Sequence, residues 1–333
     1  MSLSHSDQRL SALVAWLRDS LAIDIQHLEA ASSDASFRRY FRISHADGRH
    51  IVMDAPPEKE NTEPFLRVAE LFKTACIHVP DIYQKNIEQG FLLLEDFGST
   101  SLLDCLHPGN VDRFYQDALD NLFQLQTGID INQCGLPDYD TALLLRELGI
   151  FYEWFLEKLL GIMLPESIKN RLNPLLIESA LEQPRVCVHR DYHSRNLMKL
   201  DNDSLGVIDF QDAVIGPVCY DPVSLLRDCY IRWPEQSVEC WILDYYQRLY
   251  TAKLLTVDFN RFKRWFDLMG LQRHLKAVGI FSRLHLRDGK SGYLAEIPRT
   301  LGYIGDVCGT YPELTEFNFF LKRQILPVYR AAL

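Results

Sequence analysis

The stretch from Val186 to Asp212 constrains this chain more than any other. It reads Val-Cys-Val-His-Arg-Asp-Tyr-His-Ser-Arg-Asn-Leu-Met and, after a polar interval, Gly-Val-Ile-Asp-Phe-Gln-Asp. An apolar run, a tight polar loop and a second apolar strand follow one another, with a carboxylate at the end of each strand. Within the loop, His189 and Asp191 form a His-x-Asp, and Asn196 stands five positions after the Asp. Asp209 follows thirteen residues beyond Asn196. One Asp to receive a hydroxyl proton, with an Asn and a second Asp to hold magnesium, is the set that phosphoryl transfer requires. A lone His-x-Asp is common and usually structural, so the weight lies in the Asn offset and the strand-borne Asp. The rest of the chain then has to supply a nucleotide site and an acceptor site.

A chain of 333 residues is long enough for two lobes. A formal charge of −10 argues against nucleic acid or an anionic membrane as partner. It does not exclude ATP, because magnesium and a few local cations set the field at the phosphates. The eight cysteines are scattered without a Cys-x-x-Cys, which points to reduced thiols rather than zinc or a disulfide framework. Residues 1–20 lack a basic segment followed by an apolar run, and no stretch reaches the eighteen apolar residues of a membrane span. The expectation is a cytoplasmic protein, acting as a monomer.

Apolar spacing predicts a helix over residues 6–22, then strands at Ile23–Leu28, Phe37–Ser44 and His50–Met53. A helix over 61–76 and a strand pair at Ile82–Asn86 and Phe91–Glu95 complete a small sheet-rich unit that ends near Gly98. Beyond it, helices are expected at 109–127, 140–161 and 165–182. Two short strands of the central stretch interrupt the series, and helices resume at 218–231, 235–252, 258–288 and 311–326. The fold class is therefore α+β and bilobal, with residues 1–98 as the nucleotide lobe and 99–333 as the catalytic and acceptor lobe. A cleft between such lobes is the natural ligand site.

Asp191 is assigned to the acceptor hydroxyl, and Asn196 and Asp209 to magnesium. His189 braces the loop. Asp96-Phe97-Gly98 spells a kinase metal motif, but it lies some ninety residues too early. It follows the strand Phe91–Glu95, which suits a hinge, with the Glu95–Phe97 backbone against adenine and Gly98 as the bend. The segment Ser32–Tyr40 occupies the place of a phosphate-covering loop and has no glycine. Ser33, Ser36, the backbone at Phe37, and the side chains of Arg38 and Arg39 would have to cradle the phosphates, although basic residues at a strand start are as often a solvated face. The phosphate-anchoring strand Lys would fall at Met53 or Asp54, and neither can serve, so Arg38 or Arg39 is expected to replace it. Glu63 and Glu70 are candidates for its usual acidic partner, or simply surface residues. Asp221 is expected to hydrogen-bond the loop from below. Gln272-Arg273-His274 with Lys276, running on to Arg283 and Arg287, is either one solvated helix face or a surface for an anionic or amide-bearing substrate.

Two details select among kinases. His193 stands where protein kinases keep Lys, which resembles aminoglycoside phosphotransferases and choline kinases, and only eleven residues separate Asp209 from Asp221, too few for a peptide-holding segment. The substrate should be a small molecule. Asp34-Ala-Ser-Phe-Arg-Arg-Tyr-Phe-Arg42, Val52-Met-Asp-Ala-Pro-Pro57, Asp191-Tyr-His-Ser-Arg-Asn196 and Ile208-Asp-Phe-Gln-Asp-Ala213 together resemble one family. It is the bacterial N-acetylmuramate/N-acetylglucosamine anomeric kinases of cell-wall recycling, within the aminoglycoside phosphotransferase superfamily, and the likeness runs through nearly the whole chain. That resemblance implies ATP- and magnesium-dependent phosphorylation of the sugar O1. It also implies a position for His193 or Arg195 near the transferred phosphoryl, and tolerance of the missing strand Lys. If the acceptor carries a lactyl carboxylate, Arg283 and Arg287 are the expected partners. The competing readings are a kinase for an aminoglycoside, choline or homoserine, and a nucleotide-binding pseudokinase.

Overall fold

A computed structural model describes residues 7–33 and 37–332. Its N-terminal part is one five-stranded antiparallel sheet in the order β1-β2-β3-β5-β4. The strands are β1 (His27–Ser33), β2 (Arg39–His45), β3 (Gly48–Asp54), β4 (Ile82–Asn86) and β5 (Phe91–Glu95). The first strand lies further along than expected. Residues 23–26 lead into it, and β1 runs on to Ser33, where the sequence alone suggested a loop, because Ser33 pairs with Arg39 of β2. Of the proposed phosphate-cradling residues, Ser36 lies outside the described residues.

Alternation along β2 and β3 sorts their side chains onto two faces. On one face, α1 (Gln8–Ala15) and its continuation Trp16–Ser20 bury Leu13, Trp16 and Leu17 against Phe41, Ile43, Val52, Phe91 and Leu93. Asp54 is also on this side, with no exposed surface. Its carboxylate accepts from Arg9 Nε at 2.9 Å and Arg39 Nε at 2.9 Å, and Arg39 further pairs with Asp7. A buried carboxylate needs such partners. Ile51 and Met53 take the opposite face, toward α2 (Glu63–Thr74), and Met53 is fully buried.

The helical part contains α3 (Leu102–Cys105), α4 (Val111–Gly128), α5 (Thr141–Ile150, extended by Phe151–Leu159) and α6 (Glu166–Leu181). The central stretch forms four short strands rather than two: β6 (Arg185–Val188) pairs with β9 (Val214–Pro217), and β7 (Leu197–Lys199) with β8 (Leu205–Val207). After it come α7 (Tyr220–Leu226), α8 (Glu235–Thr251), the thirty-residue α9 (Phe259–Asp288), α10 (Ile297–Thr310), α11 (Thr315–Phe320) and α12 (Leu326–Ala332). Helix α10 was not anticipated. Its three glycines lower helix propensity, yet Ile297, Leu301, Ile304 and Cys308 fall on one face and are buried against the α9 cluster, so packing decides. Helix α9 passes so close to α5 that a Cβ on Gly279 would lie 2.6 Å from the Phe151 nitrogen.

One apolar cluster joins the two parts. Phe65 and Phe72 of α2 pack on Phe210, with ring centroids 4.8 and 5.7 Å apart, and Phe72 also meets His189 at 5.9 Å. The sheet-rich part is thereby fixed to the loop that carries the expected chemistry. No helix among the described residues is long and apolar enough to cross a membrane.

Arg39 is thus held in ion pairs on the face away from the cleft. Arg39→Ala should lower stability by about 1–2 kcal/mol in urea denaturation. This is less than the roughly 3–5 kcal/mol of a fully buried broken pair, because Arg39 is partly exposed and Arg9 remains. A variant with unchanged stability and a raised ATP requirement would return Arg39 to the phosphates.

Candidate active site

The loop after β6 turns sharply. Arg190 at φ 77° and Asp209 at φ 65° both adopt the left-handed backbone region, rare for residues with a Cβ. Asp221, fully buried at the start of α7, accepts from the His189 N–H at 2.7 Å and the Arg190 N–H at 3.0 Å. It holds the loop from beneath, as the sequence suggested. Asp228 does the same one step on, accepting from the N–H groups of Ser194 at 2.9 Å and Tyr230 at 2.8 Å. His189 accepts the Asp191 N–H on Nδ1 at 3.2 Å and bonds the Ile208 carbonyl through Nε2 at 3.1 Å. Burial lowers its pKa to about 4, so it is a neutral brace.

Two cavities meet at this loop. The larger, about 410 Å³, opens between the sheet and the loop. Its roof is Ala31, Tyr40, Arg42 and Ile51, the Glu95–Ser99 backbone forms one side, and Arg195, Asn196 and Asp209 lie on the floor. Gly98 bends the chain with φ 79°. Asp96 is paired with Arg42 through both carboxylate oxygens, at 2.8 and 2.9 Å, and also caps the Gly98 N–H, which agrees with a hinge rather than a metal motif. The cation facing this cleft from the strands is therefore Arg42, a position the sequence reading passed over; its alternation with Phe41 and Ile43 was the available signal. Phe37 is exposed, with its N–H on Glu60, and neither Phe37, Arg38 nor Arg39 lines the cleft. Of Ser33 only the backbone is described.

On the cleft floor, the Asn196 amide nitrogen donates to the Asp191 carbonyl at 3.0 Å and toward Asp209 at 3.3 Å. The Asn196 side-chain oxygen takes part in neither contact, and both Asn196 and Asp209 line the cleft. Two hard oxygen donors, with phosphates and water completing the shell, fit magnesium, which seldom takes an all-protein cage.

The smaller cavity, about 80 Å³, holds Asp191 and His193 on one side and Arg273, Lys276 and Ile280 of α9 on the other, with Tyr230 between. Arg195 lies at the junction. It lines the larger cleft, and its guanidinium stacks 4.0 Å over the Tyr230 ring. Burial would raise the Asp191 pKa, but Lys276, His193, Arg273 and Arg190 outweigh it and hold the carboxyl down at about 2. Beneath lies Glu147, a residue the sequence reading missed although a lone acid on the apolar face of α5 was visible. It bonds Arg190 at 2.7 Å, Lys276 at 2.9 Å and the Tyr139 hydroxyl, while Lys276 also donates to Tyr220 at 3.0 Å. Burial would raise Glu147, but the two cations keep it ionised. The expected pair Arg283 and Arg287 lines neither cavity. Arg287 stands eleven residues past Lys276, ~16 Å along the helix, and is paired to its neighbour Asp288 at 2.7 Å.

Asp191→Asn should leave the ATP requirement within a few-fold and lower kcat by roughly 10²–10⁴; steady-state kinetics with full activity would remove Asp191 from the chemistry. A pH effect on stability also follows. Burial holds His189 at about 4 and His274 at about 3, below the ordinary histidine value. The unfolded chain therefore takes up protons between pH 6.5 and 4 that the folded chain does not, and stability falls with pH in that window. Asp221, pushed by burial up to about 7, acts in the opposite sense and offsets one of the two. Urea titrations should show a net loss on the order of 1–2 kcal/mol between pH 6.5 and 5; equal stability at both values would contradict this balance.

A family model described as "Phosphotransferase enzyme family" matches residues 27–252, from β1 through α8. The N-acetylmuramate/N-acetylglucosamine kinase of Pseudomonas aeruginosa is 45% identical over 329 residues, covering 95% of this chain and 96% of that protein. The Pseudomonas putida protein of the same name is 44% identical over 330 residues, with 95% and 96% covered. A choline kinase from Streptococcus pneumoniae superposes with a TM-score of 0.64 at 14% identity, over 89% of this chain and 99% of that one, a likeness of fold alone. With the central loop and its hinge inside the matched segment, this chain belongs to the phosphotransferase enzyme family.

Proposed function

We propose that this protein transfers the γ-phosphoryl group of ATP to the anomeric hydroxyl of N-acetylmuramate or N-acetylglucosamine, giving the sugar 1-phosphate. Residues 1–98 form the nucleotide lobe and residues 99–333 the acceptor lobe. The observation that carries the reading is the position of Asp191, in the wall of the small cavity and one bond network away from Asn196 and Asp209 in the nucleotide cleft. An acceptor hydroxyl beside Asp191 faces phosphates lying over that pair. The names of relatives at 44–45% identity along the whole chain supply the amino-sugar class.

The roles follow from chemistry. The Glu95–Phe97 backbone holds the adenine, and Arg195 provides positive charge to the cleft, while Arg42 is held by Asp96. Asn196 and Asp209 hold magnesium, which when bound neutralises charge on the phosphates. Asp191 accepts the O1 proton and orients its oxygen in line. With its carboxyl held near 2 it is a weak base, which suits an anomeric hydroxyl, more acidic than an ordinary alcohol, and a transfer in which positioning dominates. His193, neutral because burial lowers its pKa, packs edge-on against Tyr230 at 5.2 Å and shapes the acceptor wall. The cations Arg273 and Lys276 in that wall disfavour aminoglycosides and choline, which are themselves cationic. Such a kinase works where ATP is available, in the cytoplasm, and its sugar 1-phosphate suits a nucleotidyl-transfer step of cell-wall recycling.

Incubation with ATP, magnesium and a panel of amino sugars, with the phosphate located by phosphorus–carbon coupling in NMR, should place it on C1, and omission of magnesium should abolish the product. Phosphate on another carbon, or turnover of choline or an aminoglycoside in preference, would overturn the assignment.

A further inference from the structure

Arg273 is the anomaly of the acceptor cavity. It is 6% exposed, yet among the described residues no carboxylate lies within ion-pair distance of its guanidinium. Its Nε has no hydrogen-bond partner, and Nη1 finds only the Cys229 sulfur at 3.6 Å. Lys276 and Arg190 each have a carboxylate partner, since they share Glu147. Asp191 and Asp228 act on Arg273 through space without reaching ion-pair distance, and Asp228 is already engaged by Ser194 and Tyr230. A buried guanidinium without an anion is strongly unfavourable, and its planar fork matches a carboxylate in two-point contact. Beside it, Tyr230 and Phe281 offer an apolar wall for a sugar ring, and His193 Nδ1 is a further buried polar atom without a partner.

We infer that Arg273 is the specificity determinant that reads a carboxylate on the acceptor sugar, and that it makes the enzyme prefer the acidic N-acetylmuramate over neutral N-acetylglucosamine. This rests on the amino-sugar kinase reading. A carboxylate of the acceptor, rather than the transferred phosphoryl, is the anion because Arg273 lines the cavity of Asp191, whereas the nucleotide cleft is lined by Arg195 and Arg42 and not by Arg273.

The test compares kcat/KM for N-acetylmuramate, its methyl ester and N-acetylglucosamine. Wild-type enzyme should lose about 10- to 100-fold on the ester, mainly through KM, the range for a charge-assisted hydrogen bond. In Arg273→Gln the ratio of N-acetylmuramate to N-acetylglucosamine should fall by the same factor, and Arg273→Lys should restore part of it. An equal loss on both sugars, or acid and ester used alike by the wild type, overturns the assignment. The ester arm decides the question even if Arg273→Gln does not fold. Wild-type enzyme that phosphorylates neither sugar overturns the kinase reading itself, whereas turnover without acid preference overturns only the role of Arg273.

Discussion

The two hydrogen bonds from the His189 and Arg190 N–H groups to the Asp221 carboxylate are the interaction on which the rest of the site depends. The loop leaves β6 with Arg190 in the left-handed region, a conformation that ordinary residues avoid. A buried carboxylate that takes both amides fixes that turn and sets Asp191 in the wall of the smaller cavity. Asp228 repeats the device on Ser194 and Tyr230, so α7 and the second residue past it supply two anchors for one loop. From above, Phe65 and Phe72 clamp Phe210, beside the Asp209 that faces Asn196. The loop, the Asn196–Asp209 pair and the sheet are thereby one packed unit.

Around this unit the charges are divided by face. On the outer side of the sheet, Arg9 and Arg39 neutralise Asp54, the residue that stands near the missing strand Lys. On the cleft side, Arg42 secures the hinge by gripping Asp96 and the Gly98 carbonyl at 2.8 Å. Beneath the smaller cavity Glu147 is shared by Arg190 and Lys276, whereas Arg273 meets only the Cys229 sulfur. An overall charge of −10 is therefore no guide to the local field, because Arg190, Arg273 and Lys276 all act on Asp191.

Much of the fold was legible along the chain because it rests on short-range rules. The strand pair Ile82–Asn86 and Phe91–Glu95 and the helix α9 appear where alternation and the helical repeat put them. Departures came where packing overrules local preference. Helix α10 forms despite three glycines because one face is buried, and β1 extends to Ser33 because β2 offers it a partner.

The sequence by itself determined the chemistry of the central loop. The spacing of Asp191, Asn196 and Asp209 is carried by one strand-loop-strand unit, and its geometry is local. It also set Asp96–Gly98 apart as a bend rather than a metal motif, since that segment precedes the central loop by some ninety residues. Only the tertiary structure decided which cations reach the acceptor. The helical repeat of α9 groups Arg273, Lys276 and Arg287 toward one side, but it does not say which turn of a thirty-residue helix lies against Asp191. That depends on how closely α9 crosses α5 at Gly279, a long-range contact with no signature in the spacing of either helix. The same crossing brings Glu147 under Lys276, and so sets the charge balance of the cavity that Arg273 lines.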